Sequence, residues 1–180
     1  LDMAQVLLTH ADLDARGRFL NACNTFETLL SRKVDPIVNE NDTVSIEELR
    51  FGDNDILAAQ VAQMIRAELV VILSDVEGLY DADPRISPDA QMLSRVEGLP
   101  SGVMKAAGQS VNPLAHGGMA AKMNAVKVLN RVGISTLIVR GRTPGIIKRA
   151  LEGEVLGTLF IPNGSRLKGK KGWIGTTASP

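Results

Sequence analysis

The strongest constraint on the fold is an uninterrupted apolar run at residues 69–73, LVVIL, followed at once by Ser74 and Asp75. A strand with water on one face alternates apolar and polar side chains, whereas a strand covered on both faces does not. The run therefore predicts a strand of a mainly parallel sheet that is buried under helices. Residues 134–140 (ISTLIVR) and 157–162 (GTLFIP) have the same apolar character and predict further strands.

Helical patterns separate these strands. Four apolar side chains recur at helical spacing and predict a helix between Asp12 and Lys33: Phe19, Cys23, Phe26 and Leu30. The segment VDPIVNEND then predicts a short buried strand and the loop that leaves it. Three more helices are expected, from about Asp55, after Gly118, and within TPGIIKRALEG. The alternation predicts an α/β fold, a three-layer α/β/α sandwich with a mainly parallel sheet.

Composition narrows the function classes. The chain has 180 residues, 20 basic and 20 acidic side chains and a net charge of zero, which argues against a nucleic-acid partner. The single cysteine, Cys23, excludes an internal disulfide framework and fits a reducing compartment, so a cytoplasmic location is expected. No apolar run is long enough to span a membrane, and the start does not resemble a signal peptide. Because the chain opens on Leu1 rather than methionine, we expect a piece of a longer polypeptide.

Polar clusters follow the predicted strands at their carboxyl ends. Residues 39–42 (NEND) follow the first, Ser74 and Asp75 the second, and Arg140 and Gly141 the third. Ligands of open α/β sheets bind at this edge. The clusters therefore predict a ligand site there, with ordinary surface loops as the alternative.

The segment FGDND places three acid or amide side chains, Asp53, Asn54 and Asp55, before a helix. One of them suffices to cap the helix, at about 1 kcal/mol. The remaining carboxylates would repel one another unless a cation shares the site. A metal, a lysine or the ammonium group of an amino-acid ligand would each serve.

The segment AHGGMAAK, residues 115–122, places two glycines before a helix and Lys122 in its first turn. Glycines permit close backbone approach, the helix start offers N–H groups to an anion, and the lysine can meet a transferring phosphoryl group. The pattern is neither a Walker loop nor a dinucleotide fingerprint, and an ordinary turn is the alternative. The sequence has no set of His and Cys residues with the spacing of a zinc site, since His10, His116 and Cys23 are too few and too scattered.

Together the motifs resemble the glutamate 5-kinases of the amino-acid kinase family. They are, in order, RFLNACNT, PIVNENDTVS, FGDND, LSDVEGLYDADPR, GGMAAK and EVLGTLFIP. The resemblance implies that residues 1–162 are the C-terminal portion of an amino-acid kinase domain. Residues 163–180 would be a linker or the start of a PUA domain. It also implies that the N-terminal part of the kinase domain, with its first strand, glycine-rich phosphate loop and second catalytic lysine, is absent.

The resemblance implies ATP-dependent phosphorylation of the γ-carboxylate of L-glutamate with Mg²⁺, the first step of proline biosynthesis. Proline would be a feedback inhibitor and the enzyme a homo-oligomer. Asp55 and Lys122 would be catalytic, with Asp55 orienting the cationic groups, and the metal-contacting residue stays open. Carried over by position, glutamate would be bound by Asn39, Asp42 and Asn54. The nucleotide would be bound by Ser74, Asp75, His116, Gly117, Gly118, Met119, Ala120, Ala121 and Lys122.

Two departures from the family pattern bear on the nucleotide. Ala115-His116 stands where Gly-Thr is usual, and Ser74 where threonine is common, so nucleotide affinity or its pH dependence is expected to differ. Three alternatives stay open: another amino-acid kinase with a different acidic substrate, a non-catalytic nucleotide- or amino-acid-binding module, and part of a bifunctional pyrroline-carboxylate synthase. Without the missing half, this chain alone is not expected to turn over substrate.

Overall fold

The computed structural model describes residues 1–44, 54–100 and 118–163. The described elements, in chain order, are β1 (Asp2–Leu8), α1 (His10–Asp14), α2 (Arg16–Ser31), β2 (Val34–Glu40), α3 (Asn54–Met64), β3 (Leu69–Ser74), β4 (Arg95–Glu97), α4 (Met119–Arg131), β5 (Ser135–Arg140), α5 (Ile146–Leu151) and β6 (Thr158–Ile161). None of the helices in these ranges is long and apolar enough to cross a membrane.

The strands form two sheets within the described residues. One has four strands in the order β3-β5-β6-β4, and the other pairs β1 with β2. Three of the pairings are parallel, and only β5 with β6 is antiparallel. The predicted α/β class with mainly parallel strands is confirmed, although one sheet was expected and two are present.

The four-stranded sheet is covered on both faces, as its uninterrupted apolar strands predicted. On one face, the buried side chains of Ile72, Ile138 and Phe160 pack into a core supplied by α3 and α4. On the other face, Leu137 and Val139 pack against Ile146 of α5 together with the half-buried Val71. Covering helices explain why these strands carry no polar alternation.

Among the described residues, the two-stranded sheet is covered on one face only. Its inner side packs with α1, α2 and α3 around Phe26, whose side chain is fully buried. The opposite side carries three apolar side chains, Met3, Leu7 and Ile37, that are 62%, 42% and 54% exposed. The β1-β2 unit therefore has an uncovered apolar face.

The segment from Asp12 to Lys33 is not one continuous helix. Ala15 adopts an extended backbone (φ −81°, ψ 114°) and separates α1 from α2. Leu30, predicted on the buried stripe, is 44% exposed. Cys23 is half-buried against the inner cluster, in line with a packing role.

Candidate active site

The first turns of α3 and α4 lie at the edge of the sheet where the parallel strands end. A short turn connects the end of α4 to the start of β5. The 13 residues of the helix span about 20 Å, and the six residues of the strand span about the same length. The helix therefore begins near the carboxyl end of β5, where Arg140 pairs with Ser74 of β3. The same reasoning places the start of α3 near the carboxyl end of β3. Helix starts and strand ends thus meet at one edge, the usual ligand-binding position in such folds.

An ion pair joins the two helix starts. The Nζ atom of Lys122 lies 3.2 Å from Oδ2 of Asp55, and the two side chains are only 12% and 20% exposed. The residues are 67 positions apart in the sequence, so the fold creates this contact. A carboxylate is favourable in the first turn of a helix, whereas a lysine there opposes the helix dipole. Asp55 therefore holds a cation at the N-terminal end of α4, which the helix dipole already makes positive.

The start of α4 has no side-chain cap. Gly118 occupies the capping position with an extended backbone (φ −68°, ψ −173°) and supplies no side-chain oxygen. The N–H groups of Ala121 and Lys122 bond to its carbonyl oxygen, while helical geometry gives those of Met119 and Ala120 no acceptor in the helix. Together with Lys122 they suit an anion. The predicted contacts His116 and Gly117 lie outside the described residues, as does Asp53.

The end of β3 presents Ser74 and Asp75. Ser74 is buried, and its hydroxyl group donates to Oδ1 of Asp75 at 3.2 Å and accepts from the N–H of Val76 at 3.4 Å. Asp75 itself is exposed. The N–H of Gly141, after β5, donates to the carbonyl oxygen of Ser74 at 2.8 Å. The two predicted nucleotide contacts are therefore held by the local backbone at the strand end.

A polar network beside this edge was not predicted as a unit. Nη1 of Arg140 lies 3.4 Å from Oε1 of Glu77, and the hydroxyl group of Tyr80 donates to Oε2 of Glu77 at 3.1 Å. Burial and the bond to this carboxylate raise the pKa of Tyr80. The sequence analysis singled out Arg140, but the sequence contains no signal that Glu77 joins it to Tyr80.

The predicted glutamate-binding residues divide into two groups. Asn54 is exposed at the start of α3, directly before Asp55. Asp42 is exposed in the turn after β2. Asn39 is exposed on β2, on the face opposite to Val38, which packs toward α3. The structure thus places Asn54 beside the ion pair, and it records no contact that joins Asn39 or Asp42 to it.

Comparison with known proteins identifies the family. The sequence pattern that defines the amino acid kinase family matches residues 1–140 of this chain. The chain belongs to the amino acid kinase family. Solved structures share the fold: the UMP kinase of Bacillus anthracis superposes with a TM-score of 0.57 over 93% of this chain and 61% of its own, at 15% identity. The isopentenyl phosphate kinase of T. acidophilum gives 0.52 over 89% and 60%, at 20% identity.

Within this family, relatives of higher sequence identity are glutamate 5-kinases. The chain is 45% identical to the glutamate 5-kinase of Geobacter metallireducens over 178 residues, which is 99% of this chain and 48% of that protein. It is 47% identical to the glutamate 5-kinase of Meiothermus ruber over 174 residues, 97% of this chain and 46% of that protein. The chain therefore spans about half the length of the relatives it matches.

Proposed function

We propose that this chain forms part of a glutamate 5-kinase, which phosphorylates the γ-carboxylate of L-glutamate with ATP to give glutamyl 5-phosphate and so begins proline biosynthesis. The observation that carries the proposal is the contact of Lys122 with Asp55 across the first turns of α4 and α3. It stands in a chain that is 45% identical to a glutamate 5-kinase.

The chemistry explains why a held cation is needed. A carboxylate must approach a polyphosphate, and both are negative, so catalysis consists mainly of positioning and charge stabilisation. Lys122 and the N–H groups of Met119 and Ala120 supply positive charge on one side of the transferring phosphoryl group. Asp55 keeps the lysine extended toward that position before the nucleotide binds.

Glutamate would be bound beside this pair. The amide of Asn54 offers both a donor and acceptors for a polar group of the substrate, and its neighbour in the chain is Asp55. The carboxylate of Asp42, in the turn after β2, suits the α-ammonium group of glutamate. Asn39, on β2 itself, is a further candidate for binding glutamate. A substrate held by Asn54 lies one residue away from the ion pair that faces the phosphates.

ATP would lie along the edge formed by the strand ends and the start of α4. Ser74 and Asp75 would contact the nucleoside, and residues 116–122 would surround the phosphates. Mg²⁺ normally keeps several waters and takes one or two protein carboxylates together with phosphate oxygens. Asp55 and Asp75 are the carboxylates at this edge that suit it, and the ion would neutralise charge on the transferring group.

Three features of the whole enzyme are proposed on the resemblance: inhibition by proline, a homo-oligomeric assembly and a cytoplasmic location. The domain boundary near residue 162 belongs with them. Only Asn163 of the proposed linker, residues 163–180, lies within the described ranges.

The test is a chimera that joins this chain to the parts of the Geobacter metallireducens glutamate 5-kinase outside the matched region. It is assayed with Mg-ATP and a panel of glutamate, aspartate and N-acetylglutamate, and hydroxylamine traps the acyl phosphate as a hydroxamate. We expect product with glutamate alone, and a loss of at least 100-fold in kcat/KM for Lys122→Met.

Lys127→Met is the matched control, since Lys127 is exposed on the same helix. It should leave kcat/KM unchanged. Hydroxamate formed preferentially from another acid, or equal rates for the two lysine variants, would contradict the proposal.

A further inference from the structure

The loop that leaves β3 is joined to β6 by a buried hydroxyl group. Thr158, the first residue of β6, is fully buried, and its Oγ1 atom accepts a hydrogen bond of 2.8 Å from the N–H of Leu79. The two residues are 79 positions apart in the sequence, so the fold creates this contact. Leu79 is only 3% exposed. An N–H group that lost this acceptor would therefore stay largely shielded from water.

The loop approaches Thr158 so closely that position 78 has no room for a side chain. A Cβ atom on Gly78 would lie 2.7 Å from Oγ1 of Thr158 and 3.1 Å from its backbone nitrogen. Glycine permits this approach. The carbonyl oxygen of Leu79 is satisfied as well, since it accepts a bond of 2.8 Å from the N–H of Leu93. The loop and β6 therefore form a close-packed junction at this point.

Residues 75–78 connect this junction to the end of β3, and they begin with Asp75, the proposed nucleoside contact. At the strand end, the N–H of Gly141 holds the carbonyl oxygen of Ser74 at 2.8 Å. Between the two ends, Glu77 pairs with Arg140, but both side chains are about half exposed, and such pairs contribute little. The bond to Thr158 is buried and made by a side chain of another strand, so one substitution can remove it.

A second buried threonine separates this bond from ordinary packing. Thr136 of β5 is 1% exposed and lies opposite Phe160 of β6 in the register of the sheet. Threonine is common in strands for its β-branched shape alone. Within the described residues, Oγ1 of Thr136 has no hydrogen-bond partner, whereas that of Thr158 holds the loop. The two residues therefore share burial and shape and differ in what the hydroxyl group contacts.

We propose that Thr158 is a positioning residue for the nucleotide: its buried hydroxyl group holds the loop after β3 in the conformation that presents Asp75 to the nucleoside. The inference rests on the proposed function, in which Asp75 contacts ATP. A loop that is already held in its binding conformation loses less conformational entropy when the ligand arrives. Loss of the hydroxyl group should therefore weaken binding of the nucleotide and spare glutamate, which is proposed to bind beside α3.

Nucleotide binding to the chimera described above tests the proposal. Thr158→Val keeps the branched shape and removes the acceptor. We expect it to raise the dissociation constant of Mg-AMPPNP, measured by calorimetry, by about tenfold. The KM for ATP should rise in parallel, while the KM for glutamate changes by less than about twofold. Thr158→Ser retains the hydroxyl group and should restore nucleotide binding. Thr136→Val is the matched control and should leave it unchanged.

Amide hydrogen exchange shows whether the loop has been released. The amide of Leu79 should exchange about tenfold faster in the Thr158→Val chimera than in the Thr136→Val chimera. A folded Thr158→Val chimera that binds Mg-AMPPNP as tightly as the control would overturn the proposal. Equal rises in the KM values for ATP and glutamate would also overturn it, because they indicate a general structural defect.

Gly78→Ala breaks the same junction from the side of the loop and keeps the test decisive if Thr158→Val does not fold. Its added methyl group meets the hydroxyl group of Thr158, so it should weaken binding of Mg-AMPPNP as well, and unchanged binding would overturn the proposal. These dissociation constants do not depend on which acid accepts the phosphoryl group. A wrong assignment of glutamate and a wrong role for Thr158 therefore give different results.

Discussion

At the scale of single residues, the position of Lys122 is unfavourable by itself. It lies in the first turn of α4, where the helix dipole repels a cation, and only 12% of its side chain is exposed. Asp55 compensates from the neighbouring helix at 3.2 Å. An arrangement that stabilises a cation at an already positive end is one that an anionic ligand can use.

The first prediction concerns this ion pair. Asp55→Asn should lower the free energy of unfolding by about 1–3 kcal/mol, because it removes the charge of a carboxylate 3.2 Å from a largely buried ammonium group. Glu152→Gln removes the partner of Lys148, in a pair whose side chains are 58% and 79% exposed, and should change stability by less than about 0.5 kcal/mol. Urea denaturation at pH 7 measures both, and equal losses would contradict the interpretation.

The second prediction is a pH dependence at Asp12. Burial opposes ionisation of this carboxylate, but hydrogen bonds from the side chain and N–H of Thr9, at 2.6 and 2.8 Å, together with Arg18, lower its pKa below the ordinary 3.8. A lowered folded-state pKa contributes stability above the unfolded-state pKa, and this is lost as the pH falls through the folded-state pKa.

Asp12→Asn should therefore cost about 1 kcal/mol at pH 7, and the difference from wild type should shrink as the pH falls below 4. Urea denaturation at pH 7, 5 and 3 measures it. Asp35→Asn, at an exposed position on β2, is the control and should change stability by less than about 0.5 kcal/mol at pH 7. A constant difference at all three pH values would speak against the assignment.

At the scale of elements, the turn into β6 depends on a glycine. Gly157 has a φ of +64°, and a Cβ atom there would overlap the carbonyl oxygen of Ile138 and approach Cγ1 of Val139 to 2.9 Å. Gly153 also has a positive φ, +88°, but no atom lies within 4 Å of its added Cβ. An alanine at Gly153 would therefore cost backbone strain alone, whereas an alanine at Gly157 would cost both backbone strain and steric overlap.

The third prediction follows from that comparison. Gly153→Ala should cost about 1 kcal/mol, from the left-handed backbone alone. Gly157→Ala should cost at least about 3 kcal/mol, since the backbone of β5 must also move. Thermal unfolding of both variants measures the difference, and similar losses would show that the turn can adjust.

Some of these helices and strands were predictable from sequence patterns, and others were not. β3 and β5 were predicted because strands covered on both faces are apolar without interruption. β1 was missed because its outer face carries both Met3 and Gln5 and so shows no clean alternation, and β4 was missed because it has only three residues. The break at Ala15 has no proline or glycine at that position to signal it.

The candidate site was predictable in its charges but not in its contacts. The polar clusters and Gly-Gly-Met motif indicated Asp55 and Lys122, and the structure joins these two residues. No local pattern indicates that Glu77 bridges Arg140 and Tyr80, because that contact depends on how β5 lies beside β3. Side chains brought together by pairing register are not visible to a pattern read along the chain.

At the scale of the whole molecule, the fourth prediction is that this chain alone is inactive. In the proposed site it offers Lys122 and the start of α4 to the phosphates, and its described strands form two separate sheets. Incubated with Mg-ATP, glutamate and hydroxylamine, it should form no hydroxamate above background, while the chimera does. Turnover by the 180-residue chain at the rate of the chimera would show that the matched half is sufficient.

The uncovered face of the β1-β2 unit has a practical consequence for handling the protein. Met3, Leu7 and Ile37 present exposed hydrocarbon, and an isoelectric point near 6.9 leaves almost no net charge to keep molecules apart at neutral pH. We expect colloidal self-association to be greatest close to pH 7 and to decline toward pH 9, where acquired negative charge makes the molecules repel. Buffers chosen on that side of neutrality would keep the chain monodisperse for spectroscopy.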